Sequence, residues 1–73
     1  MSESSRVDNN EFNLLKALGM DSQFLHDAVD KYRKDAQNDN KNNLVEIWDK
    51  IKIDRQKHVS MLKEALKEYY KQT

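Results

Sequence analysis

Between Leu44 and Tyr70 the apolar residues Leu44, Ile47, Trp48, Ile51, Leu62, Ala65, Leu66 and Tyr69 recur three and four positions apart, with Lys and Glu dominating the opposite positions. That recurrence matches the 3.6-residue turn and predicts one α-helix over residues 44–70, about 40 Å long at ~1.5 Å per residue. No glycine or proline interrupts it. Upstream, Leu25, Ala28, Val29, Tyr32 and Ala36 fall on one face of a second predicted helix over residues 22–37, with Asp21 or Ser22 as its N-cap. A third set, Phe12, Leu15 and Leu18, follows Asp8 and Glu11, the spacing of a capping box, and predicts a short helix over residues 9–18. Gly19, the single glycine of the chain, supplies the left-handed residue expected to close it, with Met20 beside it for the accompanying apolar contact.

Residues 1–7 read as a loose polar tail, and the Asn/Asp-rich run 38–43 as a short connection. A short connection makes the two longer helices an antiparallel hairpin. The expected fold is therefore all-α, a single domain over residues 8–73 in which a short N-terminal helix precedes a helical hairpin with a long C-terminal arm. Its expected core and interface residues are Leu25, Val29, Leu44, Ile47, Trp48, Ile51, Leu62, Leu66 and Tyr69.

Length changes this picture. A chain of 73 residues buries only about 60% of its unfolded surface on folding. Small domains make up the shortfall with disulfides, metal or self-association, and the absence of cysteine removes the first. Because the long helix outreaches its hairpin partner, the N-terminal helix folding back over the hairpin is the expected cover for part of its distal apolar residues and a second copy for the rest, with a homodimer favoured and another protein partner as the alternative. Charge narrows the partners further: 13 basic residues balance 13 acidic ones, so the chain lacks the positive excess that drives phosphate binding. Nucleic acid is not an expected ligand. Neither a membrane span nor the basic and apolar regions of a signal peptide occur, which makes the cytoplasm the expected compartment.

Chemistry enters the long stripe at its middle. His58 lies inside the apolar arc, Arg55 and Asp54 sit toward its borders, and Tyr32 from the second helix completes an expected buried polar cluster. Asp54 and His58, four apart, stand on adjoining turns; the pair suits either an imidazole satisfied within a core or, together with His26, ligation of one iron or zinc ion. The first reading is preferred, because buried polar groups are paired whatever their function. No catalytic residue is expected: there is no cysteine nucleophile, the serines lack a matched His and carboxylate, and one glycine cannot build a phosphate cradle. Leu15, Gly19, Met20, Ser22, Leu25 and Ala28 also have the spacing of a helix-turn-helix, but the second helix sets Asp27, Asp30 and Asp35 against Lys31, Arg33 and Lys34, with no net charge for phosphates.

The run from Ile51 to Leu66, with Ala28-Val29-Asp30-Lys31-Tyr32, resembles the metal-binding helices of the ferritin-like and rubrerythrin-like families, closest to the two-helix encapsulated ferritins, over residues 22–70. The resemblance implies a hairpin that dimerises into a four-helix bundle. The family places a glutamate on its first helix and Glu-x-x-His on its second. Here His58 and Tyr32 match, while Leu25 and Arg55 stand at the two glutamate positions. A fixed cation at Arg55 opposes a dication, so the resemblance implies a ferritin-like hairpin without a complete di-iron site, and a non-enzymatic role in self-association or protein binding.

Overall fold

A computed structural model describes residues 7–72. Among them are three helical segments and no strand: α1 (Asn9–Asp27), α2 (Val29–Asn38) and α3 (Asn42–Gln72). Residues 1–6 of the expected tail lie outside the described residues.

Gly19 does not end a helix. It stands inside α1, its φ is not positive, and the expected break between residues 18 and 22 is continuous helix. The reason is visible in the positions that face α3. Glu11, Leu14, Leu18, Asp21 and Leu25 alternate three and four apart and all are at least half-buried, so the seam runs straight through the glycine. Burial along five positions outweighs the ~1 kcal/mol that glycine costs in a helix interior. The helix-turn-helix spacing loses its turn for the same reason.

The chain bends instead at Ala28, whose backbone departs from helical values at φ −123 and ψ −51. Helical hydrogen bonds persist on both sides, from Ala28 N–H to the Phe24 carbonyl at 3.1 Å and from Tyr32 N–H to the Ala28 carbonyl at 3.0 Å. Beyond it the seam continues at Val29, Arg33 and Ala36, one residue later than alternating three-four spacing would place it. The bend absorbs that extra residue, so α1 and α2 form one bent helix with a continuous inward edge.

The αL residue of this fold is Asn40, with φ 57. Lys41 N–H reaches the Ala36 carbonyl at 2.8 Å and Asn40 N–H the Gln37 carbonyl at 3.1 Å, the two bonds of a Schellman motif. Asparagine tolerates αL better than other side chains because its short amide bonds locally. The turn reverses the chain and α3 returns antiparallel. Arg33 pairs with Asp49 at 2.6 Å, Lys52 with Asp30 at 2.9 Å, and Arg55 with Asp21 at 2.9 Å. Near the open end Tyr69 hydrogen-bonds Asp8, and Tyr70 hydrogen-bonds Glu11 at 2.6 Å. The first stretch of the bent helix thus covers the distal half of α3, which is the task expected of the N-terminal segment.

The result is one layer of helix. Its principal extents are 56 × 22 × 13 Å, and the shortest is barely the ~10–12 Å diameter of a helix with its side chains. Its radius of gyration is 16.6 Å, against about 11 Å for a compact chain of this length. A single helix–helix contact encloses little: among the described residues only Val29, Ala36 and Leu66 are fully buried apolar side chains.

This splits the expected apolar stripe of α3 in two. The inward edge is Val45, Trp48, Lys52, Arg55, Val59, Leu62, Leu66 and Tyr69, all buried or half-buried at three-four spacing. Leu44, Ile47, Ile51, Met61 and Ala65 lie one position earlier in each turn, on the adjoining face. Leu44 and Ile47, expected in the core, remain 39% and 45% exposed, because one α-helical neighbour covers an arc too narrow for both edges. Val29 and Leu66 are buried as expected, and Leu25, Trp48, Ile51, Leu62 and Tyr69 are half-buried.

Candidate functional site

The polar centre of the seam is built by α1 and α3 together. Asp21 occupies an inward position halfway along α1, where its side chain is 14% exposed. Its Oδ1 accepts a hydrogen bond from Arg55 Nη1 at 2.9 Å, and its Oδ2 lies 3.6 Å from His58 Nδ1. The latter distance is an ion pair only when the imidazole is protonated and is too long for a hydrogen bond. The Arg55 guanidinium also sits 4.6 Å from the Phe24 ring centre, within cation–π range. One carboxylate of α1 is therefore held by two consecutive turns of α3.

This differs from the cluster expected around Asp54. Arg55 and His58 belong to it, but their partner is Asp21 rather than Asp54, and Asp21 is a seam residue rather than a helix cap. Asp54 is exposed and forms no hydrogen bond or ion pair among the described residues. Tyr32 is 44% exposed and makes ring contacts instead, 6.0 Å from Phe24 and 5.1 Å from Trp48 between centroids. No polar or charged residue among the described residues is fully buried, so the cluster is a half-exposed clasp. The spacing of Leu14, Leu18 and Leu25 is the signal that would have placed Asp21 inward, once Gly19 is read as helix.

His26 is exposed on α1, without an ion pair among the described residues. His58, Asp54 and His26 are not gathered into one site: among the described residues no three His, Cys, Asp or Glu side chains are grouped so as to hold a metal ion. Nor is any described helix long and apolar enough to cross a membrane.

A second feature is apolar. Phe24, Tyr32 and Leu44 each immediately precede an inward residue, and the contacts of Tyr32 with Phe24 and Trp48 put them on one side of the layer. Two shallow grooves open there, one walled by Tyr32, Ala36, Leu44 and Trp48 together with Asp35, Asp39 and Lys41, the other by Met20, Phe24 and Ala28 together with Gln23 and Asp27. Extending the same side along α3 adds Ile47, Ile51, Met61 and Ala65. Met20 is 58% and Met61 63% exposed, while Phe24, Ile51 and Ala65 on the same side are half-buried, so this side is apolar and partly open to solvent. Only Asp54 and His58 interrupt its stretch on α3 between Leu44 and Ala65.

Fold and surface thus define an all-helical hairpin with apolar side chains open to solvent on the side of Met20, Leu44, Ile47 and Met61, while Phe12, Leu15 and Ile53, each following an inward residue, are exposed on the other side. Comparison with protein-family models, curated proteins and solved structures finds no match for this chain.

Proposed function

We propose that this protein is a non-enzymatic helical hairpin whose role is self-association, two copies stacking their apolar faces into a four-helix core, as a ferritin-like arrangement without a complete di-iron site. The observation that carries the reading is the single layer itself: three buried apolar side chains beside a face exposing Met20, Tyr32, Leu44, Ile47 and Met61. Fully burying one such large side chain contributes roughly 1.5–3 kcal/mol, so covering the exposed part of this face adds to what the hairpin seam supplies. Large apolar patches on small domains mark association surfaces. Aspartate at position 47 separates this reading from a self-sufficient monomer, because Ile47 faces away from the seam. Ile47→Asp is expected to make the melting temperature drop by at least several degrees and lose its concentration dependence. A melting curve superimposable on the parent at every concentration contradicts the reading.

A further inference from the structure

The stripe of α3 that adjoins the seam, part exposed and part half-buried, is self-complementary about its own midpoint. Its members are Ile47, Ile51, Asp54, His58, Met61 and Ala65, alternating four and three apart, and they form three pairs centred on the level of Gln56: Ile47 with Ala65, Ile51 with Met61, Asp54 with His58. Two are apolar with apolar, and the central one is acid with base. We infer that α3 packs antiparallel on α3 of a second copy, about a two-fold axis that crosses the helix at the level of Gln56 and seats Asp54 against the partner's His58 on both sides. This inference rests on the self-association reading and specifies its geometry.

A two-fold interface uses one patch twice, so whatever lies a given distance on one side of the axis must fit what lies at that distance on the other. The stripe meets this condition with an apolar pair on either side of the central polar pair. At the rim Leu44 faces the partner's Glu68, where the contact opens to water. The other helix obeys the same axis. Asp21 is held by Arg55 and His58, which puts it near the level of Gln56 and Met20 about one residue further along α3. Stacking α1 on its copy then brings Met20 near the partner's Met20 and sets Ala17 against the partner's Phe24, so large meets small. The face is wide enough: extents of 56 × 22 Å offer on the order of 1,000 Å², against the ~800 Å² per partner of a standard interface.

The polar pair also fixes the register. Sliding the axis by half a heptad either way puts Asp54 opposite the partner's Ile51 or the partner's Ala65, leaving a carboxylate buried without a partner. A single polar position in an apolar stripe selects alignment in coiled coils by the same penalty. Within its own chain Asp54 has no ion-pair partner among the described residues, and the His58 side chain, 3.6 Å from Asp21 through Nδ1, is 50% exposed.

The chain has no cysteine, so introduced thiols report geometry directly. Ile51→Cys and Met61→Cys chains are prepared separately and mixed, with helicity checked by circular dichroism, and oxidised. The proposed axis brings position 51 opposite the partner's position 61, while two copies of position 51 lie about 15 Å apart along the helix direction, beyond the ~7 Å Cα separation a disulfide allows. The mixture is expected to form a covalent dimer joining the two variants, and neither variant alone is expected to form one. In a second measurement, Asp54→Lys is expected to raise the dimer dissociation constant at least about tenfold while leaving helicity unchanged. A parent that sediments as a dimer but gives no mixed disulfide, or cross-links as readily within one variant, overturns the register and leaves self-association standing. A parent that stays monomeric overturns both.

Discussion

Gly19 has open space where a Cβ would project, with nothing within 4 Å, and ordinary helical backbone. Gly19→Ala is therefore expected to stabilise the protein by roughly 0.5–1 kcal/mol, by removing unfolded-chain freedom at no steric cost. In a chain this short that raises the melting temperature by several degrees. A decrease would show that residue 19 is the left-handed helix end its sequence context suggests. Asp21 and Arg55 make a different prediction. Arg55→Leu alone strands a carboxylate that is 14% exposed and should destabilise by about 1–3 kcal/mol, whereas Asp21→Leu with Arg55→Leu should recover most or all of that loss. Denaturant unfolding of the two single variants and the double one measures the coupling, and additive losses would mean that the clasp is not a pair. At the open end, the hydrogen bond to Glu11 holds the Tyr70 phenol above its ordinary range. A raised value favours the protonated folded state, so this contribution is complete below about pH 10 and is lost as pH rises through the folded value. Glu11→Gln should return the Tyr70 ring titration toward that ordinary value, read by carbon NMR of the ring; an unmoved titration would place the cause elsewhere.

At the scale of elements, Ala28 is the informative position, because it is the extra residue between the seam of α1 and that of α2. Deleting it makes the three-four alternation regular from Glu11 to Ala36, so the variant should keep its helicity and its melting temperature within a few degrees. Deleting Gln23 instead removes a residue from a regular stretch and rotates everything before it by about 100° relative to α3, which should unfold the hairpin. Circular dichroism of the two deletions decides it; equal damage would show that the bend has a purpose of its own. The extent of α3 and the Asn/Asp turn were legible in the residues, since unbroken three-four apolar spacing and a cluster of turn formers have one local reading each. The joining of the first two helices was not. A glycine followed by methionine satisfies the rule for a helix end, and only the phase of Leu14, Leu18 and Leu25 against α3, a tertiary fact, overrides it. The candidate site is hidden for the same reason: His58 inside the apolar arc and Arg55 at its border are visible in the spacing, but Asp21 reads as a cap that does not form.

For the whole molecule, the apolar content of α3 exceeds what one neighbouring helix can cover. Periodicity alone merges its two edges into a single broad stripe; the structure separates them into a seam that is filled and a face that is open. That division sets the residue-scale clasp of Asp21, Arg55 and His58, which aligns α1 with α3, beside the open face on which Asp54 stands. Sedimentation equilibrium of the unmodified chain from low micromolar to millimolar concentration measures whether the open face is closed by a second copy. The account predicts a mass near twice the 8.7 kDa of the chain, falling toward that value on dilution. A constant mass of 8.7 kDa across the whole range would contradict it.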